Sequence, residues 1–392
     1  MAHWRPTSRR EFAVSFLSPV HVGTEETLGP HEVLWWDGRL WRFRTEPILR
    51  ALEGRPPLLE CFVEAGLEGI RDWLRQSRLW EEALVYACPL AHPPRLEREP
   101  LRPFLTDAHG RPYLPGTEVK GAIRTALAWQ ALNAGYPARF ENLVGRRRER
   151  DGSVGTAEKQ QAGQRLARAL FGEEPHRDRL RALRVGDSTP APASRLRVVR
   201  VLVAAAGPGG LRWLFRARRG RTASQYTQDP GCALGTFCEC LDRAADGQLS
   251  LTVELDAYLA GEAISRELGW DRTSALAEEW GRACNEFARS VASGELAWWR
   301  KAENASLAAF YENLLQELQD PGENVYLNLG WGGGWRTKTV TEIFGEPVVE
   351  RTVRQYGLAR GGTARPFPKT RRVAWTDGAP VPLGWVKLTP AG

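Results

Sequence analysis

RPYLPGTEVKGAIRTALAWQAL, residues Arg111 to Leu132, is the stretch whose reading decides the fold. A short extended segment enters Pro115-Gly116 and passes directly into an amphipathic helix, the outline of an anion site. Thr117 reads as the N-cap, because its hydroxyl can accept from a first-turn amide, and Glu118 suits the positive end of the helix dipole. Gly116 permits a sharp turn and leaves the backbone N–H groups uncovered toward a phosphate. At about 100° per residue, Val119, Ala122, Ile123, Ala126, Leu127 and Gln130 share a largely apolar face that is expected to be buried. Lys120 and Arg124 are i, i+4 neighbours on its rim. Gly121, Thr125 and Ala128 keep the opposite side low, so that another chain can approach closely.

A nucleoside-triphosphate loop would need a Lys and a Ser or Thr directly after its second glycine, and here Ala122 and Ile123 follow Gly121. That class is excluded. An ordinary strand–turn–helix with two surface cations accounts for the same residues, since any helix N-terminus attracts anions.

With 392 residues the chain exceeds a typical single domain. An apolar fraction of 42% with 16 tryptophans excludes general disorder. The net charge is +7, and of 54 cations only six are lysine, so arginine, which pairs bidentately with phosphate, dominates. A compositional bias toward arginine explains much of this, yet the balance favours a polyanionic partner. No apolar run approaches the roughly 20 residues of a membrane span. The stretch MAHWRPTSRREF lacks an apolar signal core, so a cytoplasmic location is expected. The six cysteines, Cys232 with Cys238 and Cys240 included, do not have zinc-ribbon spacing and read as reduced, partly buried thiols.

Along the chain, Glu11 to Ser18 alternates as a strand and is followed by Pro19-Val20-His21-Val22-Gly23. His21 is either a general base or, more commonly for a lone histidine, a packed ring. Val33–Trp36 and Arg39–Phe43 flank Asp37-Gly38, a hairpin signal that carries Trp35, Trp36 and Trp41 as stacking or packing residues. Thr45 to Leu52 and about Gly66 to Tyr86 read as helices, and the proline-rich stretch from Cys88 to Pro103 as an extended connector. Residues 101–106 and 111–114 form a second hairpin across Asp107–Gly110. Arginines crowd from Arg146 to Arg184, and again in RARRGR, residues 216–221, as solvated faces or phosphate tracks. Residues 195–205 and 211–216 are strands. Thr236 to Leu241 and Leu249 to Leu255 read as a hairpin. Trp270 to Leu318 is helical, Asn324 to Leu329 a strand. It enters Gly330-Trp-Gly-Gly-Gly-Trp-Arg-Thr-Lys-Thr339, whose backbone can approach a phosphodiester or simply make a tight turn. Two short strands close the stretch Arg365 to Leu388.

PGTEVKGAIRTAL resembles the signature of the RAMP superfamily of CRISPR-associated RNA-binding proteins, in which this loop and helix face the guide RNA. Four segments in order resemble one branch, formed by the fifth subunits of type III-A (Csm) effector complexes: LSPVHVG (17–23), YLPGTEVKGAIRTAL (113–127), LGWGGGWRTKT (329–339) and FPKTRR (367–372) with its downstream Gly384-Trp385. The resemblance implies an α+β fold with a ferredoxin-like, RNA-recognition-type core. That core would occupy residues 1–260, with a helical insertion near 45–87 and a basic insertion near 137–184. Residues 261–392 would add a helical segment, the glycine-rich loop and short strands packed on the core.

The resemblance further implies a subunit without catalytic residues, cofactor or metal. It would cap the end of the complex that holds the 3′ portion of the guide RNA (crRNA) and be needed for 3′-end maturation in antiviral defence. Its partners would be that RNA, the adjacent backbone RAMP subunit, other Csm subunits and host ribonucleases. Gly116, Thr117, Lys120, Gly121 and Arg124 carry over as RNA-binding, with Gly332, Gly333, Gly334, Arg336 and Lys338. His21 matches the opening, and Lys369 and Arg371 match the tail. A RAMP endoribonuclease is the alternative, with His21 or His109 as base, or Asp37 or Asp107 on a metal, although turn chemistry explains both aspartates. A purely structural end cap that contacts only protein is a third.

Overall fold

The computed structural model describes residues 8–90, 93–135, 163–207, 209–216, 224–268, 279–359, 365 and 367–391. The arginines at 146–150, positions 217–221 of the second basic cluster and residues 270–278 of the expected helical segment lie outside these.

In chain order the strands are β1 (Ser8–Phe16), β2 (Val33–Trp36), β3 (Arg39–Phe43), β4 (Leu84–Pro89), β5 (Leu101–Arg102), β6 (Leu183–Val185), β7 (Arg197–Gly207) and β8 (Gly210–Arg216). There follow β9 (Gln225–Thr227), β10 (Gly235–Cys240), β11 (Ser250–Leu255), β12 (Val325–Asn328), β13 (Thr370–Thr376), β14 (Ala379–Val381) and β15 (Trp385–Pro390). The α-helices are α1 (Thr45–Leu52), α2 (Pro56–Ala65), α3 (Arg71–Gln76), α4 (Leu79–Ala83), α5 (Gly116–Asn133) and α6 (Gln164–Phe171). The remainder are α7 (Glu262–Glu267), α8 (Trp280–Lys301), α9 (Ala305–Glu317), α10 (Trp335–Lys338) and α11 (Gly345–Gln355). The fold is α+β. No described helix is long and apolar enough to cross a membrane.

The alternation in β1 sends Phe12, Val14 and Phe16 to one buried face. β1 pairs on one side with β11 (Phe12↔Leu251) and on the other with β15 (Val14↔Leu388), giving a five-stranded sheet in the order β12-β15-β1-β11-β6, antiparallel throughout. Val119, Ile123, Ala126 and Leu127 of α5 and Ala283 and Cys284 of α8 complete the same core. Each fully buried large side chain there contributes roughly 1.5–3 kcal/mol. The second sheet runs β14-β13-β7-β10-β5, with β8 and β9 leading off β7. Against it α8 and α9 bury Trp299, Leu307 and Tyr311 together with Leu202, Val373 and Trp385.

The third sheet, β2-β3-β4, carries α1 to α4 around Phe43, Ile48, Phe62 and Leu74. Asp37 and Gly38 both have positive φ (53° and 67°), as a two-residue hairpin turn requires. Trp41 and Phe43 pack on Trp80 at 4.8 and 4.9 Å between ring centroids, so the tryptophans of this hairpin are packing residues.

Two expectations are corrected. Residues 66–86 are not one helix but a 3₁₀ turn (Gly66–Ile70), α3, α4 and the start of β4, while α2 was not foreseen because Pro56-Pro57 reads as a break although proline suits a first helical turn. Residues 236–241 and 249–255 do not form a hairpin. β10 pairs with β7 and β5, β11 with β1 and β6, and the 3₁₀ turn Arg243–Ala245 carries the chain from one sheet to the other. Asp246, just beyond that turn, accepts the Phe16 N–H at 2.7 Å.

Candidate nucleic-acid interface

The loop after β1 and the glycine-rich loop after β12 lie side by side. The Trp331 N–H donates to the His21 carbonyl at 2.7 Å, and a Cβ on Gly330 would stand 2.2 Å from that same oxygen. Gly330, with φ +73°, is therefore fixed by both conformation and space. The segment before β15 joins them, since Gly384 N–H donates to Pro19 O at 2.8 Å and Leu329 N–H to Gly384 O at 2.7 Å. Glu118, in the first turn of α5, then clamps the glycine loop by accepting the Gly330 N–H at 2.7 Å and the Lys338 ammonium at 2.8 Å. Partial burial pushes the Glu118 carboxyl up, but Lys338 and the Gly330 N–H outweigh it and hold the group below the usual glutamate range.

These contacts border an open groove of about 900 Å³. Gly330 to Gly334 line it, and Lys338, Lys369 and Arg372 are exposed cations along it. Aromatic rings interleave with them. The guanidinium groups of Arg372 (4.8 Å) and Arg102 (5.1 Å) both stand by the Trp331 ring, and Trp335 meets Phe367 edge-on at 5.0 Å. Cations beside aromatic rings, along a wall rich in glycine, suit a single-stranded nucleic acid, whose phosphates need charge and whose bases need stacking surfaces.

A second basic patch lies on the outer side of α5. Burial depresses the Lys120 ammonium; Asp178 opposes this, and repulsion from Arg124 and Arg184 adds to it. Arg124 pairs with Asp178 at 2.7 Å and lies 4.0 Å over Phe171. Gly121 is exposed, with nothing within 4 Å of an added Cβ, so this face is low as expected.

Other sequence-derived candidates are placed differently. The helix begins at Gly116 with Pro115 as N-cap, and Thr117 is exposed in the first turn instead of capping it. The Gly116 N–H is taken by the protein's own Asp187 carboxylate at 2.7 Å, and a Cβ there would overlap Val185 O at 2.3 Å. Gly116 is thus required by close packing. His21 is buried, its Nδ1 donating to the Glu239 carbonyl at 2.7 Å with Phe104 and Trp331 edge-on around it. Burial pushes its pKa down, against the pull of that hydrogen bond. The ring braces two loops and offers no face to RNA.

Arg371 is buried as well, both Glu295 oxygens accepting from its Nε at 2.9 and 2.7 Å, with Trp298 at 4.6 Å from the guanidinium. Arg336 turns toward the same Glu295 at 3.5 Å and toward Gly294 of α8. A carboxylate buried beneath the loop captures these two arginines, which corrects their expected place on the RNA side. Gly332 and Gly333 are compelled by Leu383 and Asn328, the latter's Oδ1 only 1.9 Å from an added Cβ, whereas Gly334, with φ +89°, faces open space. Asp107 organises its own turn, accepting from the His109 and Arg111 amides at 2.9 Å each and from the Arg111 side chain.

The sequence reading did not single out Trp331, Trp335, Phe367 or Arg372 as site residues. Tryptophans embedded in a glycine-rich loop, where they have little neighbouring side chain to pack on locally, were the available signal.

The model of the RAMP superfamily matches residues 13–337. The chain belongs to the RAMP superfamily. It is similar to the CRISPR system Cms protein Csm5 of Methanocaldococcus jannaschii, with 22% identity over 299 residues, 71% of this chain; it spans 62% of the length of that relative. Among solved structures it is similar to a chain of the Csm–crRNA–target RNA ternary complex of a type III-A CRISPR-Cas system (TM-score 0.65, 22% identity, 98% of this chain and 100% of that one). It is also similar to the crystal structure of T.onnurineus Csm5 (TM-score 0.59, 20% identity, 96% of this chain and 99% of that one). At these identities the likeness is one of fold.

Proposed function

We propose that this chain is a non-catalytic RNA-binding subunit of a type III-A CRISPR (Csm) effector complex. It caps the end that holds the 3′ portion of the crRNA, beside a backbone RAMP subunit, and supports 3′-end maturation by host ribonucleases in the cytoplasm. The observation that carries this reading is a cationic, aromatic groove lined by segments 329–339 and 367–372, whose glycine-rich loop is held in place by two further sequence-distant segments, 17–23 through the His21 carbonyl and 113–127 through Glu118. RNA contact falls to Lys338, Lys369, Arg372 and the backbone at Gly332 to Gly334, and on the outer side of α5 to Lys120, Gly121 and Arg124. The burial of His21 favours binding over base catalysis at that residue. The strand order β15-β1-β11-β6, with α5 following β1 and α8 following β11, supports a ferredoxin-like core to which β12 is added. On this reading residues 261–392 supply the strands and loop that complete a core laid down by residues 1–260.

The test is binding of end-labelled crRNA by the full chain across a salt series, with cleavage followed in the same samples. Lys338→Ala/Lys369→Ala/Arg372→Ala is expected to weaken binding and to lower the salt slope by about 0.7 for each phosphate that is no longer neutralised. An unchanged slope would refute the groove as the RNA site. Defined cleavage products from the wild type would replace the capping role with that of a ribonuclease.

A further inference from the structure

A cleft of about 430 Å³ opens off the groove between α5, α6 and α11, within the roughly 300–1,000 Å³ usual for small-ligand pockets. It shares Trp335, Lys338, Thr339, Tyr356 and Leu358 with the groove, so a strand lying in one passes the mouth of the other. Its walls are apolar and partly aromatic, with Leu166, Leu170, Phe171, Phe344 and Val348 among them. Arg124 and Lys338 are its cations. An apolar slot with aromatic walls, cations and an opening onto a phosphate track matches a planar base on a charged backbone.

The cleft's remaining polar lining is three threonine hydroxyls, Tyr356 and the indole N–H of Trp335, a donor that a ring nitrogen or carbonyl of any base can meet and that therefore does not discriminate. Thr125 donates to Gly121 O at 3.1 Å, Thr339 to Trp335 O at 3.0 Å and Thr352 to Val348 O at 2.8 Å. A hydroxyl has one proton, so each of these oxygens offers the cleft only lone pairs. Acceptors of this kind reward an exocyclic amine. Adenine, cytosine and guanine carry one; uracil presents two carbonyl oxygens and a single N–H.

We propose that the cleft is a nucleobase pocket into which one base of the bound strand inserts, with bases bearing an exocyclic amine preferred over uracil. The inference rests on the RNA-binding reading of the groove and adds a base-selective subsite to it.

Short homopolymeric oligoribonucleotides of equal length, and an adenine oligomer carrying a single 2-aminopurine, would be titrated against the full chain by anisotropy and fluorescence. The adenine oligomer is expected to bind about fivefold tighter than the uridine one, the gain of one net hydrogen bond. 2-Aminopurine at the inserting position would be quenched. Ala167→Trp, which fills the cleft, should weaken adenine binding about tenfold by removing one stacked base. Its salt slope, set by the groove cations, should stay as it is. The isosteric Thr352→Val should erase most of the base preference in a protein that melts as the wild type does. Equal affinity for all homopolymers with no effect of either cleft variant, while Lys369→Ala/Arg372→Ala still weakens binding, overturns the pocket and leaves the groove standing. No effect of the groove pair overturns the groove reading and the pocket with it.

Discussion

Glu239→Ala should loosen the joint between the β2-β3-β4 sheet and the rest of the protein. Glu239 is fully buried on β10, and both of its oxygens accept from Arg42 of β3, at 2.7 and 2.8 Å. The same carboxylate accepts the Tyr86 hydroxyl of β4 and the Phe104 N–H, each at 2.7 Å. Two of its four hydrogen bonds therefore come from Arg42 and two from neutral donors, and the substitution removes them all together. Removing one partner of a buried ion pair costs about 3–5 kcal/mol. The Arg42 side chain is 19% exposed and can recover some water, which favours the lower end. Tyr86 and Phe104, buried and left without an acceptor, add back about 1–3 kcal/mol each at most, without simple additivity. A net loss of about 4 kcal/mol is expected, read from the urea midpoint at unchanged slope and from faster amide exchange in β3 and β4. Arg42→Met in the Glu239→Met background should recover part of the loss, because no charge is then stranded. A loss under about 1 kcal/mol, with β3 and β4 still protected, would refute the argument that this carboxylate joins the two parts.

Two further outcomes follow from the loop clamp and the open face of α5. Because the folded Glu118 carboxyl lies below its ordinary value of 4.5, its contribution is present above pH 4.5 and lost as the pH falls through the folded value. Exchange at the Gly330 amide should therefore quicken on acidification relative to Glu118→Gln at the same pH; parallel behaviour of the two proteins would dismiss the clamp. Gly121→Ala should raise helix stability by roughly 0.5–1 kcal/mol, since the site is exposed and roomy, yet weaken RNA binding by holding the strand off the helix. A more stable protein with unaltered RNA affinity would remove this face from the interface.

Much of the scaffold is written locally. The alternation of β1, the Asp37-Gly38 turn and the apolar face of α5 depend on neighbours within a few residues, and the structure bears them out. The strand partners of β10 and β11 do not, because two adjacent β-rich segments look like a hairpin whether or not they share a sheet. The site divides in the same way. Lys338 and Lys369 border the groove, as their motifs suggest. Arg336 and Arg371 looked alike in sequence, but their fate was decided by Glu295, one carboxylate on a distant helix. Thr117 does not cap because the helix already begins at Gly116, whose amide donates to Asp187, far along the chain.

The interior position of β15 bears on how the chain is made. β1 is made well before its two neighbours, β11 and, around Thr389 and Leu388, β15. Closing that sheet must await synthesis through Pro390, so the Phe12–Val14–Phe16 face stays without its final cover while the intervening residues are made. Contacts this distant in sequence form slowly and leave strand edges exposed meanwhile. Translation pauses before residue 385, or scarcity of chaperones, should therefore lower the yield of folded protein more than its equilibrium stability would suggest.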